Sequence, residues 1–143
     1  MVRYPVREPY VANTDWAWFE FLSGQSAGGA VDEVNFWSPR ATRPMKRFEP
    51  GDPIFFKLKK PRYFVAGYGF FAAHHVLDLD TCWDMFGWKN GDPDRVRFLR
   101  RIGEYRGVDL LHPRAERSPI GCTVLRDAVF WPESRWMPWG DDQ

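Results

Sequence analysis

The chain has 143 residues, 44% hydrophobic and 27% charged, which is the length of one domain, expected over residues 1–143, and the composition of a globular and not a disordered chain. Its two cysteines, Cys82 and Cys122, are too few for a disulfide framework or a four-ligand zinc site, and are expected as reduced thiols of a cytoplasmic protein. No run is apolar enough for a membrane span, the N-terminus has no signal-like core, and a net charge of +1 argues against a general polyanion binder.

Residues 1–13 are expected as an extended lead-in. Thr14 can cap a helix running to about Leu22, because a hydroxyl accepts the free N–H groups of a first turn. Trp16, Ala17, Trp18, Phe19, Phe21 and Leu22 make that helix apolar nearly all round, so burial is expected. SGQSAGG at 23–29 follows as a flexible connection. Residues 31–37 form a first strand, which Ser38-Pro39 stops, with Arg40 next. Trp37 thus stands at a strand end. It is either core or one wall of a pocket for something flat and negatively charged.

The charge is concentrated from here. Residues 38–62 hold eight basic side chains (Arg40, Arg43, Lys46, Arg47, Lys57, Lys59, Lys60 and Arg62) against Glu49 and Asp52. The segments on either side are slightly acidic. Such a block is the footprint expected of a phosphate-backbone contact, or else a solvated face of loop cations.

Strands at 54–59 and 63–72 flank Lys60-Pro61-Arg62, which suits a hairpin. Gly67 and Gly69 inside the second of these predict a bulge or a close backbone approach. A short helix capped by Asp80 (81–86) comes next, then a longer one opened by Asp92-Pro93. Val96, Leu99 and Ile102 recur along the longer helix. Residues 107–118 form a loop, 120–125 and 128–131 form closing strands, and the tail is irregular. The expected fold class is α+β, a compact, strongly bent barrel with helices packed on it. A doubly wound nucleotide fold lacks both its strand–helix alternation and its glycine fingerprint.

Catalysis finds no support in the residues. No acid-x-Lys pair or acidic cluster suits a metal-dependent nuclease. His74 and His75 point to opposite faces of a strand, and His112 has no evident acid partner. Cys122 lies in an apolar strand, where a thiol is inert. No metal or cofactor is expected. A basic block with many aromatics and no catalytic constellation suits a binding module.

Several blocks then carry a resemblance: DEVNFWSPR (32–40), FEPGDPIFFKLKKPRYFVAGYGFF (48–71), CWDMFGWKNG (82–91), RIGEYR (101–106), IGCTVL (120–125) and VFWPESRWMPW (129–139). In order and spacing they resemble the N-terminal, PUA-like part of predicted McrA-type HNH restriction endonucleases. The resemblance implies a relative of the SRA, EVE, YTH and ASCH domains, small bent β-barrels that read modified bases or other nucleic-acid features. No HNH motif follows Trp139, so the cleaving activity is not carried over. The expectation is a reader domain, alone or as part of a longer protein.

The resemblance implies double-stranded DNA as partner, with one modified base flipped into an aromatic pocket, and a fused or separate HNH nuclease. A homodimer stays open. Trp37 is similar in position to the aromatic cage of YTH domains and would be one wall. Asn35 and Ser38 would supply edge hydrogen bonds. Tyr68, between two glycines, is a second wall or a core ring. Asn90 is an edge reader or a turn residue. Arg40, Arg43, Lys57, Lys59, Lys60 and Arg62 would hold phosphates. Modified cytosine leads, with N6-methyladenine, phosphorothioate DNA and an RNA-binding module as alternatives.

Overall fold

The computed structural model describes residues 8–111 and 118–139. His112 lies outside them. The elements are β1 (Tyr10–Thr14), α1 (Trp16–Ser26), β2 (Val31–Ser38), β3 (Pro53–Leu58), β4 (Phe64–Asp78), α2 (Leu79–Phe86), a 3-10 turn (Gly87–Asn90), α3 (Arg95–Arg106), β5 (Pro119–Phe130), a second 3-10 turn (Glu133–Arg135) and β6 (Met137–Pro138). The strands make one sheet of order β1-β3-β4-β5-β2, with β6 added to β4. The pairing is antiparallel except between β1 and β3.

The α+β class and the bent, helix-covered sheet agree with the sequence. The curl follows from the bulges, which shift the β3–β4 register at Phe56/Lys57 and the β4–β5 register at Tyr68/Phe70 and Phe71/Ala73. Gly67 permits one of these close approaches. A Cβ there would stand 2.2 Å from the Val129 carbonyl oxygen across the ladder. The sheet therefore wraps around one aromatic core. Phe36 of β2 stacks on Phe56 of β3 at 6.0 Å, although three strand pairings separate them along the sheet. Trp18 of α1 fills the gap, edge-on to both at 5.1 and 5.2 Å. The other face of β2 is covered by α2, the first 3-10 turn and α3. With both faces covered, the strand runs VNFW without a polar interruption on either side, apart from Asn35.

Several boundaries differ from expectation. Residues 10–14 pair with β3 instead of trailing. Asp15, not Thr14, caps α1 by accepting from Trp18 N, while the Thr14 hydroxyl donates to the Ala12 carbonyl. The helix then continues through Gly24 to Ser26. Asp78 caps α2 and Asp94 caps α3, one acidic residue either side of the expected starts. The two closing strands are one, because Asp127 takes a left-handed φ of 50° and the ladder continues past it. No described helix is long and apolar enough to cross a membrane.

Candidate nucleic-acid interface

A pocket of about 160 Å³ opens where β1, β2 and β3 end together. Its apolar walls are Trp18, Phe36, Trp37 and Met45, and its polar side is Asp15, Lys59 and Tyr105. Ser38 and Pro39 form the lip. The space is well below the ~300–1,000 Å³ of pockets that take drug-sized ligands, so it suits a single ring system.

The walls are held rigidly. Trp37 is only 8% exposed, and its indole N–H donates to the Asn90 carbonyl at 2.8 Å. Its ring packs edge-to-face with Phe98 and Tyr105, both at 6.1 Å. Trp18 donates to the Asn35 carbonyl at 3.1 Å, and Gly91 lies so close to it that a Cβ there would stand 2.2 Å from the ring. Neither indole can turn without breaking a buried hydrogen bond.

The polar side is a relay of charge-assisted bonds. Lys59 Nζ donates to the Tyr105 hydroxyl at 2.8 Å, and that hydroxyl donates to Asp15 Oδ1 at 2.7 Å. Asp15 Oδ2 accepts from Trp18 N at 3.3 Å and from Arg101 Nη1 at 3.4 Å. Arg101 continues to the fully buried Asp92, 2.7 Å away. Burial, and then the bond to Asp15, hold the Tyr105 phenol well above its ordinary pKa, so it stays a donor. Burial likewise pushes the Asp92 carboxyl up to about 6, against the pull of Arg101. The pocket thus offers flat apolar faces, a carboxylate acceptor and an ammonium donor.

Of the residues singled out from sequence, Trp37 and Ser38 come together here. Asn35 and Asn90 do not reach the pocket. Both are fully buried behind the Trp37 wall, where the Asn35 amide donates to Asn90 Oδ1 at 2.8 Å and to Cys82 Sγ at 3.3 Å. Asn90 in turn donates to the Cys82 and Gly87 carbonyls and so ties α2 to the first 3-10 turn. Cys82 and Cys122 are free and buried with sulfurs 3.7 Å apart, and that contact and burial raise the Cys82 pKa. Tyr68 stands away from Trp37, on the outer face of β4, with its ring 6.0 Å from Phe55. His74 bonds to the Thr42 carbonyl and to Thr123, while His75 is exposed.

Of the cations expected to hold phosphates, only Lys59 lines the pocket. Arg40 donates to the Tyr105 carbonyl at 2.7 Å. Lys57 lies over Tyr63 and Trp139, Lys60 over Tyr63, and Arg62 3.8 Å above Trp16. Arg43 is exposed in the connection leaving β2. The sequence pointed to neither Asp15 nor Tyr105 as site residues. An acid directly before an apolar helix was the available signal for Asp15; Tyr105 joins it from 90 residues away with no local mark. Among the described residues no three of His, Cys, Asp and Glu come together as a metal-binding group.

No protein-family model and no curated protein matches the chain. Solved structures do. The ASCH protein from Zymomonas mobilis is 15% identical with a TM-score of 0.50, over 92% of this chain and 87% of that one. A point mutant of that protein is 17% identical with a TM-score of 0.52, over 85% and 70% of the two chains. At such identities the likeness is one of fold, and the fold of this chain is the PUA-like fold of ASCH domains.

Proposed function

We propose that the chain is a nucleic-acid reader that holds one unstacked base in the Trp37 pocket. One observation carries this reading: a ring-sized pocket with rigid indole walls opens directly beside the basic β3–β4 hairpin. Lifting a base from its stack costs a few kcal/mol, and stacking on an aromatic wall returns about 1–3 kcal/mol. Asp15 and Lys59 can accept from and donate to the base edge, Ser38 adds a hydroxyl at the lip, and Arg40, Arg43, Lys60 and Arg62 neutralise flanking phosphates. In the finer form the base is a modified cytosine flipped from duplex DNA. The chain, taken as one reader domain over residues 1–143, binds without cutting and targets a modification-dependent HNH nuclease, fused or separate. The sequence blocks that resemble those of McrA-type proteins, together with the PUA-like fold, support this form.

A gel-shift panel tests it. One duplex carries in turn plain cytosine, 5-methylcytosine, 5-hydroxymethylcytosine, N4-methylcytosine, N6-methyladenine and a phosphorothioate. One modified duplex is expected to shift at lower protein concentration than the plain one, with no metal-dependent nicking. Equal shifts for all, or nicking, would sink this form. The alternative, an unpaired strand such as RNA, is favoured by the run of cations laid on aromatic rings along β3.

A further inference from the structure

Strands β1 and β3 pair in parallel, Val11 opposite Phe55 and Asn13 opposite Lys57. Side chains two apart share a face of a strand, and so do paired residues of neighbouring strands. Val11, Asn13 and Asp15 therefore form one outward row, and Phe55, Lys57 and Lys59 the row beside it. Between them Ala12, Phe56 and Leu58 turn into the core. The Asp15–Lys59 end of this stripe is the base pocket already described. At the Val11–Phe55 end lies a second hollow of about 430 Å³, closed by Val65, Met137 and Trp139. Four strand residues separate the two ends, roughly 13 Å.

The second hollow has no charged lining residue among those described, and it keeps two rings available: Trp139 is 37% exposed, and Phe55 is flanked on the same face by its cross-strand partner Tyr68. Between the hollows stands Lys57, with Nζ 4.7 Å from the centre of the Trp139 ring and 5.1 Å from that of Tyr63. Ring, cation, pocket is an order that suits a polynucleotide strand, with the phosphates between two held bases passing Lys57.

We infer that this stripe is a track for a single-stranded polynucleotide, with a second base stacked between Phe55 and Trp139 while the first occupies the Trp37 pocket. The inference rests on the base-pocket reading above in its unpaired-strand form. A stacked strand advances about 3.4 Å per nucleotide, so the two bases lie about four nucleotides apart, and fewer when the strand is drawn out. An intact duplex cannot present both, because its bases face their partners and only one is lifted at a time.

The test is fluorescence anisotropy with labelled oligodeoxycytidylates and oligocytidylates of about two to eight nucleotides. Affinity is expected to climb by about tenfold once the strand is long enough to reach the second hollow. Phe55→Leu, which keeps bulk without the ring, and Trp139→Ala, at an exposed site, should each remove most of that climb. The tighter of the two series identifies the sugar of the natural strand. A climb that survives both substitutions overturns the track, as does a duplex of the same sequence that binds as tightly as the single strand. If Trp37→Phe changes nothing while the climb is intact, the base pocket fails and the second hollow stands.

Discussion

Trp37 is both core and pocket wall, and replacing it separates the two roles only if the substitution is chosen with care. Trp37→Ala would remove a side chain that is 8% exposed, at a cost of about 3–5 kcal/mol. It would also orphan the Asn90 carbonyl, for about 1–3 kcal/mol more. Against a total stability of roughly 5–15 kcal/mol, that variant reports on folding. Trp37→Phe keeps an aromatic face and most of the packing on Phe98 and Tyr105, and loses the indole N–H. The expected loss is about 2–4 kcal/mol, most of it the orphaned carbonyl, or a fall in Tm of the order of 10 °C. Thermal melting by circular dichroism measures this, and anisotropy well below the new Tm then measures binding to the modified and plain duplexes of the gel-shift panel. Discrimination should fall more than background affinity, because phosphate contacts carry the background. An unchanged Tm would refute the Trp37–Asn90 bond. An equal loss of specific and background binding would refute the pocket wall.

Three further expectations follow from individual contacts. Asp92 keeps its proton up to about pH 6 when folded, but only to about 4 when unfolded. The folded state therefore binds the extra proton between those values, and stability falls as pH rises through the window, by about 3 kcal/mol in all. Relative to Asp92→Asn, the native protein should gain that much between about pH 7 and pH 4 in urea titrations; a flat or inverted difference refutes the assignment. Gly67→Ala should cost of the order of 3 kcal/mol or more, since the new methyl meets backbone at 2.2 Å and the β4–β5 ladder has to spread; a melt within a degree or two of native would contradict the register. Replacing Lys59, Lys60 and Arg62 together by Ala should make the slope of log K against log salt shallower by about 2–3, and an unchanged slope takes the hairpin out of the interface.

The parts of the fold visible in the sequence are those where local chemistry and tertiary demand agree. The β2 stop at Ser38-Pro39, the β3–β4 hairpin and the glycines of β4 all carry their own punctuation, and the structure uses each where it stands. The misplaced boundaries have a common cause. β1 is not legible in the sequence because YVANT shows only a short alternation, and its pairing is supplied by β3, some 44 residues further on. The caps were misplaced because this chain sets Asp beside other capping residues: Thr14-Asp15, Asp78 and Asp80, Asp92 and Asp94. Composition cannot tell which of two neighbours has the extended φ and ψ of a cap. The continuity of β5 was hidden because Arg126-Asp127 looks like a turn, and only its partners on β2 and β4 keep it in the ladder.

The site follows the same division, with a sharper consequence. Trp37, Ser38 and the basic hairpin are neighbours in sequence or one strand apart, and they were legible. The polar side was not, because its geometry is assembled across the fold. Asp15 belongs to the start of α1, Lys59 to the end of β3 and Tyr105 to the last turn of α3, and no spacing rule links them. Asn35 and Asn90 mislead for the opposite reason. Polar residues next to a tryptophan resemble edge readers, yet the strand period sends Asn35 to the face covered by α2, where a buried amide needs partners of its own and Asn90 supplies one. The same period explains Tyr68. It was expected as a second pocket wall or a core ring and instead lies on the outer face beside Phe55, at the edge of the second hollow. An aromatic that the sequence marks as a pocket wall thus braces a different surface. The two hollows together therefore ask for a longer and less paired stretch of nucleic acid than a single flipped base requires.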